Sequence, residues 1–204
     1  MNGDAAVADD SPEDGLRRRQ LLEAAERCFL RSGFQGARMA AIAKEAGTSP
    51  GLIYHYFDSK EAIIAEMVAA HVADKRANLA ALARVEGSIV DAFLDGLEQK
   101  ILTGLGPFWS SLTLEVTAEA TRNEEVARII RAADEEVRSA LIATVAAYVP
   151  AGEAEARTET FLALLQGLGL RRLINPDLPV ERMCRSIRIA TEALFGQPSG
   201  SLRT

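Results

Sequence analysis

From Leu16 to Phe195 the apolar residues recur at helical spacing, and no useful stretch alternates with the period of two that marks a half-buried strand. That pattern restricts the chain to an all-α fold. Leu21, Leu22, Ala25, Cys28 and Phe29 define one face of a first helix, which Gly33 should stop. A second, short helix over 38–46 packs Ile42, Ala43 and Ala46 and stops at Gly47. Ser49 can accept the first N–H groups of a third helix, and Pro50 suits its first position, where a missing donor does no harm. Leu52, Ile53 and Phe57 are the apolar positions of that helix, and Asp58-Ser59-Lys60-Glu61 opens a fourth, long one reaching about Arg84. Gly, Pro and Asn then punctuate five further helical stretches at 88–103, 108–121, 124–148, 153–174 and 179–195, with Asn123 placed to cap the third. About nine helices result, three of them in a small N-terminal domain over 15–60 and the rest in a larger body over 61–198.

The formal charge of −6 argues against nucleic acid, because phosphate binding needs Lys and Arg to displace condensed counterions. Its distribution reverses the argument. Residues 1–15 carry five acids and no base, 16–60 carry eight bases against four acids, and the remainder has 15 bases and 20 acids. One basic module, of charge +4, therefore stands within an acidic chain. Residues 1–14, small and acidic with nothing to bury, are expected to be a disordered tail, and 199–204 a C-terminal tail.

Little in the sequence supports catalysis. Cys28 and Cys184 lie far apart without CxxC spacing, the two histidines complete no zinc set, and neither HExxH nor a Gly-rich phosphate loop occurs. No metal, no cofactor and no enzymatic activity are expected. A basic and apolar leader is lacking, and no apolar run has the length of a membrane span, so a cytoplasmic location is the expectation.

Three short helices, the second and third joined by a tight Gly-containing turn, describe a helix-turn-helix, and placing the third in a major groove would explain the basic module. Plain packing at the start of an α protein would give the same spacing. The run Ala46-Gly47-Thr48-Ser49-Pro50-Gly51-Leu52-Ile53-Tyr54-His55-Tyr56-Phe57-Asp58-Ser59-Lys60-Glu61-Ala62 closely resembles the recognition-helix signature of the TetR family of transcriptional regulators. Upstream, Arg31-Ser32-Gly33-Phe34 and Ile42-Ala43 fall at the family's usual distances, so the resemblance covers 16–62. It implies double-stranded DNA as a partner, contacted by Thr48, Ser49, Pro50, Gly51, Tyr54, His55, Tyr56 and Lys60. Gly51 would let the backbone approach phosphates, while Tyr54 and Tyr56 could donate to them and His55 could reach a base edge or a phosphate. Lys60 opposes the dipole at the start of the fourth helix, a conflict that a bound phosphate would resolve. The chain departs from the family at Ala37-Arg38, where a hydroxyl cap is usual and Arg38 would instead reach phosphate, and at Leu52, where Thr is frequent.

Beyond residue 62 the resemblance implies a helical body that dimerises through its last two helices and encloses an effector cavity. Phe161, Leu165 and Leu168, with Met183, Ile187 and Leu194, are the candidate dimer face, and Gln166-Gly167-Leu168-Gly169 permits close helix contact. Phe93, Leu97, Trp109, Leu112, Thr113 and Val116 are candidates to line the cavity. All these stripes could equally be ordinary core. The reading is a homodimeric repressor on a palindromic operator with half-sites roughly 34–36 Å apart, released by a small molecule. The alternative is a helical small-molecule binder or interaction adaptor without DNA affinity.

Overall fold

The computed structural model describes residues 12–82, 84–85, 90–96 and 107–196. Nine helices and no strand occur among the described residues, in agreement with the all-α expectation. They are α1 (Pro12–Gly36), α2 (Met39–Glu45), α3 (Pro50–Tyr56), α4 (Lys60–Leu82), α5 (90–96), α6 (Pro107–Ala120), α7 (Glu124–Val145), α8 (Ala154–Ile174) and α9 (Val180–Phe195). The chain divides into two compact units, 1–67 and 68–204, with the division inside α4.

In the N-terminal unit α1 starts at Pro12, so Pro12, Glu13 and Asp14 belong to a helix rather than to the expected tail. The reason is local: both acids lie in the first turn, where negative charge complements the helix dipole. Residues 1–11 and 199–204 lie outside the described residues. Leu21, Ala24, Ala25, Cys28 and Phe29 form the buried stripe of α1, joined in the unit's buried set by Met39, Ile42 and Ala43 of α2 and Ile53 of α3. Gly33 breaks α1 with φ 68°, after which one more turn brings the buried Phe34 ring to 5.6 Å from Phe29. Two arginines of α1 grip the end of α2, Arg27 and Arg31 reaching Glu45 at 2.8 and 3.1 Å. Their hydrogen bonds hold the Glu45 carboxyl below its usual range.

Gly47 makes the turn between α2 and α3. Its φ of 67° lets its own N–H bond the Lys44 carbonyl (3.1 Å) and the Thr48 N–H bond that of Ala43 (2.9 Å), which together satisfy the last carbonyls of α2. Ser49 then caps α3, its Oγ accepting from Leu52 N at 3.3 Å, and Pro50 takes the first position.

In the C-terminal unit Leu79, Leu94, Leu141, Phe161, Leu168 and Phe195 belong to one buried cluster drawn from α4, α5, α7, α8 and α9. Asn123 caps α7, accepting from Glu125 N and Val126 N. Charged ties brace the surface: Arg138 pairs α7 with Glu155 of α8, and Arg188 of α9 with Asp95 of α5. No helix among the described residues is long and apolar enough to cross a membrane.

A Cβ at Gly47 would meet nothing within 4 Å, so Gly47→Ala tests the backbone alone. Forcing an L-residue into the left-handed region costs about 1 kcal/mol, and the urea midpoint of the unfolding followed by circular dichroism should fall accordingly. An unchanged midpoint would contradict the assigned turn.

Candidate nucleic-acid interface and C-terminal cavity

Only Ile53 of α3 is fully buried, with Phe57 buried just past its end, so most of this short helix faces outward. Tyr54 is 53% exposed, His55 and Gly51 are exposed, and Ser49 and Pro50 flank them on the same exposed entry to the helix. Thr48 is half-buried in the turn before it. The His55 and Tyr56 rings meet edge-on at 5.3 Å.

Gly51 is informative because nothing among the described residues requires it. Its backbone is not left-handed, and a Cβ there would meet only Ser49 Oγ at 3.9 Å, an ordinary contact. Glycine in a helix costs up to about 1 kcal/mol relative to alanine, and the packing of the described residues does not account for it here.

The eight bases of the module divide into two groups. Arg18 forms a bidentate pair with Glu66 and lies over the Phe57 ring at 4.7 Å, and Arg27 and Arg31 hold Glu45. Lys60 also has an internal partner: its ammonium donates to the Phe34 carbonyl at 2.7 Å and lies 4.7 Å from the centroid of that residue's ring. In the free chain, carbonyls at the end of α1 therefore accept from this cation at the start of α4. Arg17, Arg19, Arg38 and Lys44 are exposed and form no ion pair among the described residues. Arg38 occupies the cap of α2 without a side-chain capping bond, which leaves its guanidinium available. Lys44 is a cation that the motif reading passed over; its place in the last turn of α2, beside the Gly47 turn, is the signal that could have found it.

Tyr56 differs from Tyr54. Its hydroxyl donates to Asp14 Oδ1 at 2.6 Å, and this bond to a carboxylate raises the phenol pKa. The hydrogen it would offer to a phosphate is therefore already engaged.

The C-terminal unit contains a cavity of about 30 Å³. Leu79 and Leu82 of α4, Phe93 of α5, Thr144 of α7, Tyr148 in the turn after α7, Phe161 of α8, and Thr191 and Phe195 of α9 contribute to its wall. Of the five expected residues that are described, only Phe93 lines it. Trp109 instead stacks on His71, rings 3.9 Å apart and 16° from parallel. Leu112 and Val116 are buried away from the cavity wall, Thr113 is exposed, and Leu97 lies outside the described residues.

Much of the expected dimer face packs within the single chain. Phe161, Leu168 and Ile187 are 1%, 4% and 8% exposed within the single chain, and Leu165, Met183 and Leu194 pack against the same cluster. Gly169 is close to α6, where a Cβ would come within 2.8 Å of Ser110 Oγ, so its smallness serves contact within the chain. The exposed apolar residues of α8 and α9 are Leu164, Leu170, Ile174 and Ile189, beside a Gly167 whose Cβ direction is open.

Residues 21–67 match the family described as bacterial regulatory proteins, tetR family, and residues 88–196 match the C-terminal domain described as BetI-type transcriptional repressor. The chain is 31% identical over 167 residues to the HTH-type transcriptional regulator BetI of Agrobacterium fabrum, covering 78% of each protein. It belongs to the TetR family.

Solved structures of transcriptional regulators share the fold. A transcriptional regulator of Pseudomonas aeruginosa PAO1 superposes with a TM-score of 0.74 at 28% identity, covering 94% of this chain and 95% of the other. A regulator of Saccharomonospora viridis solved with choline gives 0.70 at 25% identity, covering 87% and 96%. As a TetR-family member the chain is a DNA-binding transcriptional regulator, and α2, the Gly47 turn and α3 are its helix-turn-helix.

Two substitutions separate the roles assigned above. Gly51→Ala should raise the stability of the free protein by a few tenths of a kcal/mol while weakening DNA binding, an opposition that unfolding and anisotropy titrations detect together. Lys60→Ala removes a charged hydrogen bond to backbone and should lower stability by about 1–2 kcal/mol. A Lys60→Ala protein of unchanged stability that loses DNA affinity would favour a phosphate role for Lys60.

Proposed function

We propose that the protein is a homodimeric repressor whose two α3 helices enter successive major grooves of a palindromic operator and which a small molecule releases, within the cytoplasm. The observation that carries the DNA half is Gly51: an exposed glycine that the chain's own packing does not require, at the start of a helix presenting Tyr54 and His55. The approach of a backbone N–H to a phosphate at that point fixes register, while Tyr54 and His55 reach sugars or base edges. Arg17, Arg19, Arg38 and Lys44 supply the sequence-independent attraction.

Pairing through α8 and α9 uses Leu164, Leu170, Ile174 and Ile189, which remain exposed on the single chain. Release is the consequence of cavity size. Ligand sites occupy about 300–1,000 Å³, an order of magnitude above the 30 Å³ present, so any effector must push the wall outward. Leu79 and Leu82 in that wall sit on α4, the same helix whose first residue is Lys60. Whatever couples this helix to DNA binding, linkage requires that DNA and effector weaken each other's binding by one common factor. The BetI-type match and the choline-bound relative support a small organic molecule as effector.

Fluorescence anisotropy with the DNA flanking the protein's own gene tests the reading. Tyr54→Ala should cost at least tenfold in affinity without moving the unfolding midpoint, and absence of salt-sensitive binding to any such DNA would overturn it. If the four unpaired cations of each unit meet phosphate, the logarithmic salt dependence of a dimer has a slope of about −7, against about −14 if all eight bases did. Asp14→Asn, which removes the carboxylate charge beside the Tyr56 hydroxyl, should tighten binding severalfold. Ile189→Glu should yield monomers in sedimentation velocity; a dimer that persists would place the interface elsewhere.

A further inference from the structure

Tyr56 stands at the end of α3, next in sequence to the exposed Tyr54 and His55, yet its hydroxyl is tied to a distant part of the same unit. It donates to Asp14 Oδ1 of α1 at 2.6 Å, across 42 positions of the chain. That length is characteristic of a bond from a hydroxyl to an ionised acceptor, roughly twice as strong as a neutral one. A phenol has one hydrogen to give, while carboxylate and phosphate oxygens only accept, so the hydroxyl serves Asp14 or a phosphate but not both. The turn that carries Asp14 is lightly held. None of residues 12–20 is buried, and Gly15, where a Cβ would meet nothing within 4 Å, weakens the helix there. The Arg18–Glu66 pair anchors α1 one turn further on, so its first turn can move without breaking that tie.

We propose that Asp14 is an autoinhibitory acid: in the free chain it holds the single hydrogen of the Tyr56 hydroxyl, and a DNA phosphate must displace it before Tyr56 can bind. The inference rests on the DNA-binding reading above and goes beyond it by assigning control of the reading face to a residue outside the helix-turn-helix. Two effects act together. Phosphate and carboxylate compete for one donor, and as like charges they repel at short range. Once Asp14 turns aside, the charge left near the hydroxyl favours an anion. Arg17 is close enough to act on the phenol, is exposed, and donates to the neutral side chain of Gln20. The start of α1 therefore sets how much of the Tyr56 bond is available to DNA.

A double-mutant cycle separates competition for the hydroxyl from simple charge. In anisotropy titrations of the full-length protein with the DNA flanking its own gene, Asp14→Ala should tighten binding about fivefold. In the Tyr56→Phe background, where no hydroxyl remains to be freed, the same substitution should gain less than about twofold. Glu13→Ala, which removes a neighbouring exposed acid, should likewise gain less than about twofold. Equal gains with and without Tyr56→Phe, or a Glu13→Ala gain as large as that of Asp14→Ala, reduce the effect to charge and overturn the inference. A second measurement needs no DNA. The bond to Asp14 raises the Tyr56 phenol pKa, so Asp14→Ala should let the phenol titrate at lower pH. The tyrosine ζ-carbon NMR resonance, assigned through Tyr56→Phe, follows this, and an unmoved titration overturns the bond itself. The two readings fail separately: salt-sensitive DNA binding by the parent protein with no gain in Asp14→Ala overturns autoinhibition alone, whereas absence of binding by both proteins overturns the DNA reading as well.

Discussion

A helix of seven residues has no stability of its own in water, so α3 exists only because its neighbours hold it. It buries Ile53 and, just beyond its end, Phe57, and everything else about its placement comes from the turn that precedes it. The left-handed backbone at Gly47 ends α2 and redirects the chain, and Ser49 starts the next helix two residues later. The Arg27–Glu45–Arg31 group fixes α2 to α1 from the other side. With so little of α3 committed to the core, its outward side chains are free to serve a second surface.

Charge follows a similar division between internal and external use. A basic module in an acidic chain suggests a phosphate partner, yet four of its eight bases are occupied by Glu66, Glu45 and the carbonyls at the end of α1. Net charge records all eight equally. The distinction matters for Lys60 above all, since its position opposite the α4 dipole attracts an acceptor of any kind, and the nearest acceptors belong to the chain itself. At Tyr56 the hydroxyl donates to an acid from the first turn of α1.

The C-terminal unit illustrates the limit of periodicity. A helix that packs on two sides presents two apolar stripes, and spacing alone does not say which faces inward. Phe161, Leu168 and Ile187 form the more regular stripe and turn out to be core, while the less regular Leu164, Leu170 and Ile189 remain outside. Gly169 shows the same ambiguity, because a small residue permits close approach without naming the partner, here Ser110. The cavity wall draws on α4, α5, α7, α8 and α9, with Thr144, Tyr148 and Thr191 contributed from helices that carry no distinguishing motif.

The amino-acid order by itself determined what depends on neighbours within a few residues. The helical class, the Gly47 stop, the Ser49 and Asn123 caps and the family signature over 46–62 were all legible, because a cap or a left-handed turn is a local hydrogen-bonding problem with few chemical solutions. It did not reveal partners that come from afar. Lys60 meets Phe34, Tyr56 meets Asp14, and Trp109 meets His71, each pair joined only when helices distant in the chain come together. Tertiary structure alone decided which apolar stripe faces inward and which bases remain free for DNA. Both are decided by packing in three dimensions, which helical periodicity and net charge do not encode.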